Sequence, residues 1–277
     1  MLEAQWEEGK FVCVGLDSEY EKIPEYIRTT PAFNIDDSIS FFNGEIVVAT
    51  EDIACAYKPN IAFYEAHGVV GLAAMKDTIS RIHDLAPKVP VILDAKRADI
   101  GNTNKGYIKM AFEYLKVDAI TVHPYLGQEA LQPFLNMPDK GIIVLCRTSN
   151  PGAGEFQDLM IEDLRLDGRG PLYQYVAAQV ADKWNKNGNC AVVVGATYPE
   201  ELQKVRDIIG DMPILIPGIG AQGGDVEKTV KAGKDSRGQG MIINSSRGII
   251  FASNGPDFAE AARRETIKLN DLINRYR

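Results

Sequence analysis

Four cysteines, three histidines and two tryptophans are all that this 277-residue chain holds of those residues. The cysteines, Cys13, Cys55, Cys146 and Cys190, are far apart and form no C-x-x-C pair. Each lies in an apolar, strand-like run, so buried reduced thiols are expected rather than a disulfide or zinc framework. His67, His83 and His123 are scattered without metal-ligand spacing. Positive charge is also in short supply, with 30 Lys and Arg against 38 Asp and Glu and a net charge of −8. This balance argues against non-specific nucleic-acid or anionic-membrane binding, which needs basic surface. No apolar run approaches the roughly eighteen residues of a membrane span. The N-terminal stretch carries Glu3, Glu7, Glu8, Asp17 and Glu19, where a signal peptide would have a basic start and an apolar core. The expected compartment is the cytoplasm.

What the chain has in quantity is repetition. Short β-branched apolar runs at 11–16, 53–57, 89–93, 119–122, 141–146, 190–194, 214–216 and 241–243 alternate with longer amphipathic stretches. Continuous apolar runs of this length suit parallel strands covered on both faces. The stretches 65–85, 103–115, 172–186, 198–209, 225–232 and 256–277 place apolar residues three and four apart, as helices do. Repeated β-then-α units predict an α/β fold, a (β/α)8 TIM barrel, with residues 1–277 as one domain. An open doubly wound sheet is the alternative, but eight strands without a second domain suit a closed barrel. Two long connections, 18–36 and 148–171, follow the first and fifth strands, on the side where loops cover barrel active sites.

The polar residues that end these strands are concentrated. They are Asp17, Lys58, Asp94, Lys96 and Asp99, then His123, Arg147-Thr148-Ser149, Gln222 and Arg247. Asp94 and Lys96 are two apart, so on extended backbone both point the same way, into the mouth. A lysine among carboxylates stays protonated, a good proton donor and a poor Schiff-base nucleophile. Two other readings stand beside this one. An ion-pair network could merely close the barrel top, or Lys58 or Lys96 could serve as the neutral amine of a Schiff-base aldolase. Gly218, Gly220 and Gly223 spell the dinucleotide pattern G-x-G-x-x-G. An acidic residue is wanted about twenty positions on, and that region ends in Arg247 instead. A phosphate site made by backbone N–H groups and the Arg247 guanidinium fits better. A non-catalytic phosphate-ligand binder would keep Arg247 and Gln222 but has no need of the Asp–Lys–Asp cluster.

Taken together, these residues resemble the orotidine 5′-phosphate decarboxylase family. Residues 93–103, L-D-A-K-R-A-D-I-G-N-T, are similar to its D-x-K-x-x-D signature. V-G-L-D, A-Y-K-P-N, T-S-N-P-G-A, P-G-I-G-A-Q-G-G and the last arginine follow in the same order over nearly the whole chain. The length and the insert after the fifth strand resemble the longer, type 2 subgroup. The resemblance implies decarboxylation of orotidine 5′-monophosphate (OMP) to UMP in de novo pyrimidine biosynthesis, without metal or cofactor. It also implies a homodimer with Asp99 shared across the interface.

Roles carry over from the resemblance. Asp17 and Lys58 would bind the ribose hydroxyls, Asp94 would sit beside the substrate carboxylate, and Lys96 would protonate C6. Asp99, Ile100 and Thr103 would reach into the partner's site. Ser149 would hold the pyrimidine edge. Gln222 and Arg247 would grip the phosphate, with Pro217, Gly223 and Ser246 around it. His123 is expected to be only a packed strand-end residue. A sister group of sugar-phosphate decarboxylases and aldolases shares the signature but binds Mg²⁺ and has an acidic residue at the end of the second strand. Lys58 stands at that point here.

Overall fold

The computed structural model describes residues 1–163, 165, 168–219 and 224–277. Its strands, in chain order, are β1 (Val12–Leu16), β2 (Ala54–Pro59), β3 (Ile92–Arg97), β4 (Ala119–Val122) and β5 (Gly141–Arg147), followed by β6 (Met160–Asp163), β7 (Gly168–Pro171), β8 (Cys190–Val194), β9 (Ile214–Pro217) and β10 (Met241–Ser245). β6 and β7 form a separate antiparallel hairpin. The other eight make one parallel sheet in the order β2-β1-β10-β9-β8-β5-β4-β3. Its two edges meet again through the bridges Tyr57–Val91 and Asn60–Asp94. The sheet therefore curls into a nearly closed barrel, with helices between successive strands.

The eight expected runs are these eight strands. Parallel strands covered on both faces need apolar side chains at every position, and all residues of β1, β2, β4, β8 and β10 are buried. β2 and β3 run past their apolar stretches to take in Lys58 and the segment from Asp94 to Arg97. The four cysteines are free and buried. Burial pushes the thiols of Cys13, Cys146 and Cys190 up to about 12, so they are inert small hydrophobes.

The helices depart from expectation in five places. The stretch 65–85 breaks at Gly68 (φ +61°), which separates the helix Ile61–Glu65 from Gly68–Leu85. The stretches 103–115 and 172–186 end in π-helical turns, Lys109–Tyr114 and Val180–Trp184. Helices Ile35–Thr50 and Gly127–Leu135 were not foreseen. The first buries Ser38, Ser40, Asn43 and Thr50 beside its apolar residues, which blurs its periodicity. Asn34 and Asp37 start it with a reciprocal capping box.

Those buried polar groups fix the end of β1. Asn43 accepts from the Ser18 hydroxyl at 2.6 Å and donates to Tyr64 and Thr78, each at 3.1 Å. The Tyr64 hydroxyl donates to the Leu16 carbonyl at 3.1 Å. Asp17 is thus held from both sides in the chain. At the opposite end of the barrel, the short helix Leu2–Glu7 anchors through the Trp6 indole, which donates to the Met241 carbonyl at 2.8 Å.

Neither long connection is irregular throughout. The first holds a 3₁₀ turn, Tyr20–Lys22, and a short helix, Glu25–Arg28. The second holds the helix Gly154–Gln157 and the hairpin β6–β7.

Candidate active site

The C-terminal ends of the strands surround a cavity of about 470 Å³. Its charged wall is a row. Lys58, only 3% exposed, places Nζ 3.0 Å from Asp94 Oδ2 and 3.8 Å from Asp17 Oδ1. Lys96, half exposed, places Nζ 2.6 Å from Asp94 Oδ1. Asp94 therefore gives one oxygen to each ammonium group. Burial pulls the Lys58 amine toward neutrality, but Asp94 and then Asp17 outweigh that, and its pKa lies above the ordinary lysine value. Burial likewise pushes the Asp94 carboxyl up, yet Lys58 and Lys96 more than reverse it and hold it well below the ordinary range. Both groups are charged at neutral pH.

Asp94 and Lys96 converge as expected, but the reason is different. Lys96 is not extended; its φ is +48°. The pairing of β3 with β4 runs Leu93–Ile120 and then Arg97–Val122, so residues 94–96 lie opposite the single residue Thr121. Such a bulge re-aims side chains, and bulges in parallel pairs are rare. The left-handed backbone costs a non-glycine residue about 1–3 kcal/mol and needs support from its surroundings. Thr121 supplies contacts here. Its hydroxyl oxygen accepts from the N–H groups of Ala95 and Lys96 and donates to Asp94 Oδ1.

Opposite this row lie Ser149, Pro217, Ser246 and Arg247, all lining the same cavity. Arg247 is exposed at the start of a short turn of helix, Arg247–Ile250. Gly218 follows β9 with φ +103°, a conformation that favours glycine. Gly15 is required for space, since a Cβ there would collide with the Ser246 hydroxyl. Gln222 and Gly223 lie outside the described residues.

Three expected residues are not in this chain's cavity. Asp99 turns to its own backbone, accepting from the Ile100 N–H at 2.6 Å, while Asn104 holds the Asp99 amide at 2.9 Å. Ile100 and Thr103 are exposed outside the cavity. His123 also lies apart from it, half-buried after β4. Arg147, read as a mouth residue, is buried away from the cavity with its guanidinium 4.3 Å over the Tyr198 ring.

Several wall residues were not singled out by sequence reasoning. Thr121, Asn60, Asn150, Gln157 and Asn244 all line the cavity. Asn60 and Asn150 sit inside quoted motifs, close to Lys58 and Ser149, so their place was legible though their part was not. Asn244 is 6% exposed, and its Oδ1 has no hydrogen-bond partner. Asp17 Oδ1 is also buried and unpaired by hydrogen bonds. Buried acceptors in a cavity wall are available to ligand donors.

Residues 10–264 match the family model described as "Orotidine 5'-phosphate decarboxylase / HUMPS family". The chain belongs to this family. The orotidine 5′-phosphate decarboxylase of Janthinobacterium sp. (strain Marseille) is 49% identical over 276 residues, 99% of this chain and 97% of its own. That of Cupriavidus metallidurans is 50% identical over 277 residues, 100% of this chain and 97% of its own. The solved OMP decarboxylase of Leishmania donovani superposes with a TM-score of 0.81 at 35% identity, covering 98% of this chain and 96% of that one. Within the decarboxylase family, then, both the barrel and its full-length sequence have close counterparts.

Proposed function

We infer that this chain is a carboxy-lyase of pyrimidine biosynthesis that decarboxylates OMP to UMP, with Lys96 as the proton donor. The observation that carries this reading is Asp94 held between two ammonium groups in the cavity wall, 2.6 Å from Lys96 and 3.0 Å from Lys58. Cleavage of the bond from C6 to the carboxylate releases CO₂ and leaves an electron pair on C6. That carbanion is poorly delocalised by the ring. A cationic Nζ poised at C6 stabilises the developing charge, and its N–H proton then passes to carbon. The lysine regains a proton from solvent.

Asp94 lies beside the substrate carboxylate in this reading. Two unit charges 4 Å apart repel by about 4 kcal/mol at an effective dielectric of 20. Departure of CO₂ relieves that repulsion, while the paired ammonium groups keep Asp94 ionised. Asp17, whose Oδ1 accepts no hydrogen bond, and Lys58 take the ribose hydroxyls. Ser149 holds the pyrimidine edge. Arg247, Ser246 and Pro217, with Gln222 and Gly223, receive the phosphate. The phosphate is remote from the bond that breaks, so its binding energy supports orientation. Asp99, Ile100 and Thr103 complete the site of a second copy in a homodimer. Supporting this, Ile100 is 64% exposed, an apolar side chain left largely uncovered by the described residues.

The reaction is metal-free in this reading because Lys58 brings a cation to the end of β2, where it would repel a metal ion. Four free, buried cysteines suit a reducing, cytoplasmic setting. Among the described residues no helix is long and apolar enough to cross a membrane. The test is a spectrophotometric assay of OMP consumption by the purified chain. Turnover unchanged by EDTA is expected; a requirement for added Mg²⁺ would move the chain to the sugar-phosphate branch of the family.

A further inference from the structure

β4 is an apolar strand, A-I-T-V, and Thr121 is its one polar side chain. It is 1% exposed. Its oxygen lies 3.0 Å from the Ala95 N, 2.9 Å from the Lys96 N and 3.0 Å from Asp94 Oδ1. A hydroxyl can accept twice and donate once. Two backbone N–H groups can only donate, so they fill both acceptor positions. The hydroxyl proton then has one partner, the Asp94 carboxylate. All the hydrogen-bonding capacity of Thr121 is spent on three consecutive residues, 94–96.

We propose that Thr121 is the positioning residue of the Asp94–Lys96 pair. Its two accepted bonds hold the bulge in which Lys96 takes its φ of +48°. Its donated bond goes to Oδ1, the same Asp94 oxygen that meets Lys96 Nζ, while Oδ2 meets Lys58. Rotation of the carboxylate would break this division. Thr121 thereby fixes both the backbone that launches the lysine and the oxygen that receives it. The inference rests on the reading of Lys96 as the proton donor.

Valine keeps the shape of Thr121 and removes the hydroxyl; serine keeps the hydroxyl. In the OMP assay Thr121→Val should lower kcat by about 100-fold, the scale of an ångström of misplacement in a reacting group. KM should stay within about threefold, because the proposed ribose and phosphate contacts are made by other residues. Thr121→Ser should recover kcat to within about threefold of the parent. A valine variant with near-parental kcat, a loss confined to KM, or a serine variant as slow as valine would each overturn the proposal. Should the valine variant not fold, Thr121→Cys replaces it, since a thiol accepts and donates only weakly. A folded cysteine variant should then be slow, and a parental kcat would overturn the proposal. Lys96→Ala separates the two levels. If it retains turnover, the proton-donor reading fails and this proposal with it. If it is inactive while Thr121→Val is not slowed, only this proposal fails.

Discussion

Asp94 meets two ammonium groups with its two oxygens, and its charge state follows from them. Its carboxyl is held below its ordinary value of 3.8 by Lys58 and Lys96 against the opposing effect of burial. A depressed folded-state pKa contributes stability that is present above the unfolded value and is lost as pH falls through the folded one. Asp94→Asn should therefore cost about 3 kcal/mol near neutral pH, because Lys58 stays buried without its nearest carboxylate. The stability gap between parent and variant should be flat from about pH 5 to 8 and should narrow only below about pH 4. Denaturant melts across that range check it. A gap that closed between pH 5 and 8 would show that the charges are not held as described. The convergence of Asp94 and Lys96 was legible in D-x-K, but by an argument from strand alternation that the bulge replaces. What pins the bulge, Thr121, sits one strand away and carries no local signal except a hydroxyl in an apolar run.

The strands were the most legible elements, because burial on both faces demands unbroken apolar runs. Helices were legible where one face alone is apolar, as in Pro199–Ile209, and not where buried Ser, Asn and Thr interrupt the pattern, as in Ile35–Thr50. The insert after β5 was legible as a length, not as a structure. Its hairpin is short, with β6 largely exposed, so no hydrophobic alternation announces it. The helix Gly154–Gln157 sends Gln157 into the cavity wall. Gln157 accepts from the Thr148 N–H and donates to the Thr148 hydroxyl, each at 2.9 Å. That clasp ties the insert to the end of β5 beside Ser149. Gln157→Ala should raise KM for OMP by roughly tenfold, about 1.4 kcal/mol, as the clasp and the longer bond from Arg147 Nη1 at 3.3 Å are lost, with a smaller change in kcat. An unchanged KM would show that the insert closes without the clasp.

Over the whole molecule, an acidic chain of net charge −8 takes an anionic nucleotide. Lys58, Lys96 and Arg247 nevertheless line one cavity, and in the proposed reading they receive that nucleotide, so the global charge says little about the ligand. The cavity formed by one chain is also short of three expected groups, Asp99, Ile100 and Thr103, which lie outside it. We propose that the Lys96 centre of one chain works with Asp99 of another, and subunit mixing is the sharpest check of that arrangement. Lys96→Ala and Asp99→Ala should each be nearly inactive alone while still folding and binding UMP. In random two-fold dimers half are hybrids, and each hybrid has one of its two sites intact. Mixing the two inactive variants under exchange should thus restore about a quarter of parental turnover. Substantial turnover by either variant alone, or no recovery once hybrid dimers are shown to form, would contradict the account.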